Sequence, residues 1–519
     1  MVSRWVRFHL CGGNHPSGFS VINPLGAKHD IPLGKLASRH HFLSVTLFNI
    51  CVILGYTFLK TLFGHSIAWT TMCLFIVSPI GTQCVAWISG LGYPMSLFWI
   101  FLTLNYVIHN EFGIISLFIF SLMNIMAINA LFVALALPAI LVFLGLYEFA
   151  ILSTFISALM GFRIVKATIK LRADEFKKQD MGRLTNIKGR RFIVAVKTVF
   201  YYLELFLWPS KLGLYHEWGN NISPILEKDD KRFWLGLIAT GGLVAIFFMT
   251  PSFLVKFGIL WFFSFIFIFL NWITIQQFVT ERYLWIPSIG LYLIAASVLQ
   301  AYPPLAYLIG GILLCRTWTH LPTYDDELRF YLSNTWNYQK SETALANLGC
   351  TWIRLGNVGS ALDAWHASHK ANPDYDVPLA NLYFHHRSSA MLDIEHGNYE
   401  SAIGKLKSSF QYIDACRKCT VQHFKDDWKK EFDSVSAWIA NPLVLVVSEK
   451  KRLTELRETL NKRFNDPNEK DKPGVGISLD HIAQRMAHIE SLLANAPKDK
   501  IPSIETVEAV KLTLPGQQK

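Results

Sequence analysis

Up to about residue 318, apolar residues come in long blocks, not in short amphipathic periods. Runs at about 42–60, 66–87, 94–109, 113–129, 131–152, 192–209, 233–250, 254–273, 286–300 and 303–316 are almost continuously hydrophobic. A helix needs about 20 apolar residues to cross a bilayer. Each run therefore predicts a transmembrane helix, the shorter ones tilted or packed inside a bundle. Beyond Asp325 the blocks give way to sequence rich in Lys, Glu and Asp. The fold class this predicts is all-α: a polytopic membrane domain of about ten spans, followed by a soluble helical domain. The expected boundaries are a polar N-terminal segment 1–41, a membrane domain 42–318, a helical domain 319–495 and a loose tail 496–519.

Composition agrees with the pattern. The 519 residues are 52% hydrophobic and only 17% charged, too apolar for a soluble chain of this length. Residues 1–173 hold three carboxylates, Asp30, Glu111 and Glu148. The net charge of +11 concentrates in one loop, 162–191, which has ten Lys and Arg against Asp174, Glu175 and Asp180. That is the positive-inside signature of a cytoplasmic loop, so no nucleic-acid partner is expected. Counting spans outward from it places Glu281-Arg282-Tyr283, the helical domain and the N-terminus on the opposite, extracytoplasmic face, in a periplasm or an ER lumen. Segment 1–41 carries no signal-type apolar run. An N-terminus on that face leads to the expectation that a first span is missing or was never present.

The helical domain contains a repeat. Leu345, Leu348, Gly349, Trp352, Gly356, Ala361, Trp365, Ser368 and Pro373 fit a 34-residue helix-turn-helix template. Small residues let its two helices approach, aromatics fill the groove, and the proline ends the second helix. A second unit, Tyr375 to Ala415, carries Gly397, Ala402 and Leu406 at usable spacing, with a first helix several residues too long. Helical stretches at 420–440, 444–464 and 478–494 would complete an α-solenoid. Cys416 and Cys419 form a lone CxxC with no second pair to complete a zinc site. A local disulfide and plain surface cysteines both fit.

Several motifs occur in a fixed order: VAWISG at 85–90, Pro138 with Tyr147-Glu148, Tyr202 with Trp208-Pro209, Leu212 and Tyr215, ERYLWIPSIG at 281–290, Arg316-Thr317-Trp318, and ALANLG at 344–349. Together they resemble the GT-C glycosyltransferases with C-terminal tetratricopeptide repeats, the TMTC-type O-mannosyltransferases and their bacterial relatives. The resemblance runs from about His41 to Tyr375. It implies transfer of a sugar from a polyprenyl-phosphate donor to a protein hydroxyl, using a carboxylate base, often a divalent metal, and cations that hold the lipid phosphate. The family's polar positions are the ones this sequence departs from. Ser44 and Phe48 stand where the family has polar residues. Ser78, Gln83, Leu91 and Tyr93 replace four polar or charged positions around VAWISG, and Ala130-Leu131-Phe132 replaces SKE.

The expectation is therefore a membrane scaffold without catalysis or cofactor, binding membrane lipid and, through the repeats, a protein partner. The alternative is an active glycosyltransferase using a divalent metal and a polyprenyl-phosphate sugar. The candidate base is Asp30, a lone loop acid that also reads as a turn residue. Arg282 and Tyr283 are candidates for a lipid phosphate, set against an Arg282 that pairs with Glu281 among headgroups. Lys211 and Arg316 are further phosphate candidates that also read as anchors. His366, Tyr383, His386 and Arg387 are candidates for the partner groove, with Trp352 and Trp365 expected between helices. No metal site is expected.

Overall fold

The computed structural model describes residues 33–110, 113–130, 135–179, 191–213, 231–270, 279–396, 398–419 and 435–495, the last with breaks at 437, 440, 442 and 465–474. Every element among them is helical and no strand occurs, so the fold is all-α. Contacts divide the chain into two units that meet between Ala344 and Leu345. This is later than the expected 318/319. The reason is the Glu327–Asn337 helix, whose end is tied into the first unit. Asn337 Nδ2 donates to the Leu212 carbonyl at 2.7 Å and the Tyr338 hydroxyl to the Lys211 carbonyl at 2.8 Å.

In the first unit, three helices among the described residues are long and apolar enough to cross a membrane: His41–Phe63, Lys231–Met249 and Glu281–Leu299. This associates the unit with a bilayer. Its outer face fits that setting. Ile114, Phe118, Ile151, Phe248, Met249 and Tyr307 are each more than 70% exposed. A water-facing surface rarely gathers so much apolar area.

Three expected spans take a different form. The run at 66–87 is a bent pair, His65–Val77 and Pro79–Ala86, meeting at 57°. Pro79 disfavours helical backbone in the residue before it, and Ser78 takes φ −70°, ψ 130°. The run at 131–152 is broken. A short helix, Leu137–Phe143, ends at Gly145, whose φ of +75° suits glycine. The Leu146 N–H donates to Leu141 and the Gly145 N–H to Val142, the hydrogen-bond pair of a Schellman cap. The next helix, Tyr147–Gln179, then continues through much of the basic segment expected as a loop. Pro287 does not break the last motif. The helix starts at Glu281, before the proline, and carries it inside, as packed membrane helices allow.

Glu281–Leu299 is the central element, 72% buried against 28% and 6% for the other two crossing helices. Trp285 stacks on Phe75 with centroids 5.4 Å apart, and Trp261 stacks on Phe101 at 5.8 Å. The Trp261 indole N–H donates to the Ile286 carbonyl at 2.9 Å. Helix Phe253–Ile266 crosses the central helix at a glycine pair, where a Cβ on Gly258 would lie 2.7 Å from the Gly290 carbonyl oxygen.

The second unit opens on the expected helix-turn-helix. Glu342–Arg354 and Val358–Ala371 join at Gly356, which has φ +79°. Asn357 N–H to Trp352 and Gly356 N–H to Ile353 repeat the Schellman pair. The Trp365 indole packs on Gly349 and donates to the Ala346 carbonyl at 3.0 Å. Helices Asp376–Glu395 and Tyr399–Lys418 follow, each of 20 residues. They bury Leu379, Leu406 and Ile413 with Trp438, Leu453 and Ile482, the last two on helices Leu443–Phe464 and Val475–Asn495.

The glycine crossing gives a direct test. Gly290→Ala places a methyl against the Gly258 backbone and is expected to cost about 1–3 kcal/mol by overpacking. Gly241→Ala, at a position with open space around it, should leave the thermal midpoint of detergent-solubilised protein unchanged. Equal midpoints for both variants would refute the close crossing.

Candidate functional site

The N-terminus of the central helix is held by a residue almost two hundred positions earlier. Thr280 caps the helix in extended backbone, φ −157°, ψ 149°. This turns its hydroxyl and the next amides toward the short Thr82–Ala86 helix. Gln83 Oε1 there accepts both the Thr280 hydroxyl and the Arg282 N–H, each at 3.0 Å. Gln83 is fully buried. The Thr280 N–H reaches the Tyr202 hydroxyl at 3.5 Å. Ser78, at the bend before Gln83, accepts the Tyr292 hydroxyl at 2.7 Å. Two positions that the resemblance assigns to free polar chemistry, 78 and 83, are thus spent on packing the central helix.

Glu281 is also a structural group. Its carboxylate is fully buried and accepts the Gly213 N–H. Gly213 has no room for a side chain, since a Cβ would sit 2.7 Å from Asn334 Oδ1. The loop before it is fixed carbonyl by carbonyl. Arg316 donates from Nε to Pro209 at 3.0 Å and from Nη2 to Ser210 at 2.6 Å, while Tyr338 and Asn337 take the Lys211 and Leu212 carbonyls. Arg316 therefore clamps this loop within the first unit. Lys211 joins the clamp through its backbone, and its side chain is exposed.

Arg282 is half-buried, its guanidinium 5.2 Å from the Trp87 ring centroid and 5.5 Å from that of Tyr283. Stacking over aromatic faces suits the planar guanidinium. Tyr283 is itself buried against Phe269, rings 4.2 Å apart and nearly parallel. Arg282, Tyr283 and Gln83 come together here, while Arg316 and Lys211 belong to the adjoining loop clamp. Asp30 lies outside the described residues. Among the described residues, no three His, Cys, Asp or Glu side chains gather as metal ligands.

In the second unit the groove residues part company. Tyr383 is fully buried in the hydrophobic core, and Arg387 is buried with its guanidinium 4.7 Å from the Trp438 ring centroid. Neither lies on an open face, because the long Asp376–Glu395 helix turns both toward its neighbours. His366 is exposed and His386 half-buried. They are joined by residues the sequence reading passed over. The Tyr412 ring stacks on His386 at 5.4 Å and lies 6.0 Å from His366, with His385 5.6 Å from His386. The His385-His386 dipeptide and the His366/His369 spacing were the available signals. Burial lowers the affinity of His386 for a proton, and His385, His366 and Lys405 add to it; His385 and His369 shift the same way. Cys416 and Cys419 are buried free thiols rather than surface cysteines or a disulfide. Burial pushes the Cys419 thiol up to about 12 and Cys416 well above its usual range, so both stay protonated and unreactive.

No family model, no curated protein and no solved structure matches the chain.

Gln83→Ala would leave the buried Thr280 hydroxyl and Arg282 N–H without their acceptor, an expected loss of about 1–3 kcal/mol. Gln83→Glu retains the oxygen and should lose less. Thermal unfolding of the two variants side by side distinguishes them. The lowered histidines set a second expectation. Their neutral forms stabilise the fold, so stability is full above the unfolded value of about 6.5 and falls as pH drops through it. Hydrogen-exchange protection in residues 358–418 should weaken on acidification, and protection that rises instead would contradict the cationic setting.

Proposed function

We propose that this chain is a polytopic membrane protein of about ten spans on the GT-C glycosyltransferase plan, with an extracytoplasmic tetratricopeptide-type solenoid. It acts as a scaffold that binds a protein partner and does not transfer sugar. The observation that carries this reading is Gln83. An inverting sugar transfer needs a carboxylate to take the hydroxyl proton. Position 83 holds an amide, and its oxygen is committed to Thr280 and Arg282. The neighbouring carboxylate, Glu281, is buried and committed to the Gly213 amide. The three helices long enough to cross, with shorter apolar helices at Ile114–Ile128 and Phe253–Phe269, support the membrane part of this reading. The helix-turn-helix at 342–371, with Trp365 against Gly349, supports the repeat reading. Arg282, half-buried beside Trp87 and Tyr283, remains the candidate contact for a lipid phosphate, which a scaffold can hold without using it.

Purified protein in lipid nanodiscs, given a dolichyl- or undecaprenyl-phosphate sugar, a divalent metal and a hydroxyl-bearing peptide, should transfer no sugar above a protein-free control. Transfer that Asp30→Asn abolishes would overturn the scaffold reading in favour of an active O-glycosyltransferase.

A further inference from the structure

We propose that the face shared by helices Val358–Ala371, Asp376–Glu395 and Tyr399–Lys418 is a docking site for an acidic peptide segment, with His366, His386 and Tyr412 as its contact residues. This rests on the reading of the second unit as a partner-binding repeat domain, and it names the partner's chemistry. Three successive helices each contribute one ring. Tyr412 lies between the two imidazoles, nearly parallel to His386 at 21° and 6.0 Å from His366. His366 is open to solvent, and His386 and Tyr412 are half-open. The result is a strip of flat rings that could lie along an extended chain.

The charges around this strip choose the ligand. Those acting on His386 are His385, His366 and Lys405, all cationic when charged. Asp393 is bound to Lys405 at 2.8 Å and to Ser401. Asp414, beside Tyr412, is bound to Lys418 at 2.7 Å. On the Leu443–Phe464 helix, which also packs on Asp376–Glu395, Lys450 pairs with Glu490 at 3.1 Å. Asp363 stands one turn before His366 and is the carboxylate nearest to it along that helix. Protonation thus puts imidazolium groups beside one another and beside a lysine. A carboxylate-bearing peptide supplies the missing counter-charge, so its binding takes up protons and tightens in acid. Several carboxylates on one chain match several imidazoles on one strip, which a single small anion does not.

The test uses full-length protein in nanodiscs and a fluorescent short oligoaspartate, with oligoasparagine as the uncharged control, at constant ionic strength. Oligoaspartate should bind roughly fivefold tighter at about pH 5.5 than at about pH 7.5, the gain expected if binding raises a single lowered imidazole by about one unit to its ordinary range. His386→Gln should remove that gain. His366→Gln, at an exposed position that does not endanger folding, should reduce it. Equal affinity at both pH values, a gain kept by both variants, or full displacement by millimolar acetate would each overturn the proposal. Failure here leaves the scaffold reading standing, because that reading is judged by sugar transfer. Sugar transfer with acid-tightened peptide binding would remove the scaffold reading alone.

Discussion

One amide oxygen holds the first unit together at its least forgiving point. Gln83 Oε1 accepts from Thr280 and Arg282, across 197 and 199 positions of sequence. It joins the bend after Val77 to the start of the most buried helix. In an apolar interior, each donor left without an acceptor costs several times what the bond itself contributes. The neighbouring polar contacts extend the same function. Tyr292 to Ser78 joins two side chains, while Glu281 to Gly213 and Arg316 to the 209–210 carbonyls fix backbone through a side chain. These residues read as mechanism in the sequence and as joinery in the fold.

The helical class was legible in the sequence, because a long apolar run that must satisfy its own backbone hydrogen bonds has few folds open to it besides a helix. What was illegible followed from local backbone chemistry. Ser78-Pro79 and Gly145 divide two runs that hydropathy alone joins, since mean hydropathy does not register a lost N–H or a positive φ. Pro287 lies inside the central helix without ending it, between Trp285 and Ile289. In the second unit, the template placed Trp365, Gly349 and Gly356 correctly because close packing dictates those residue types. It could not place Tyr383 or Arg387. An aromatic or arginine at a helix face reads the same whether it meets solvent or Trp438.

The candidate site was half legible. The motif at 281–290 located the central helix, and the substitutions at 78, 83, 91 and 93 pointed to altered chemistry. Only the geometry gives Gln83 its present task. An amide and a carboxylate both accept hydrogen bonds, but the amide does so without a charge to desolvate, and so it serves a buried junction at lower cost. Arg282 is found with its guanidinium beside the Trp87 and Tyr283 rings.

The Glu281–Gly213 bond also ties together distant parts of the chain. The two residues are 68 positions apart, and the earlier one leaves the ribosome first. A helix that begins with a carboxylate is poorly suited to seat itself in a bilayer alone. The Gly213 N–H that the carboxylate accepts belongs to the 208–213 loop, whose carbonyls are in turn held by Arg316, Tyr338 and Asn337. Glu281, the 209–213 loop, Arg316, Asn337 and Tyr338 thus form one connected set of contacts drawn from separated stretches of the chain. A chain lacking the stretch after Arg316 would leave the Lys211 and Leu212 carbonyls without the Tyr338 and Asn337 donors.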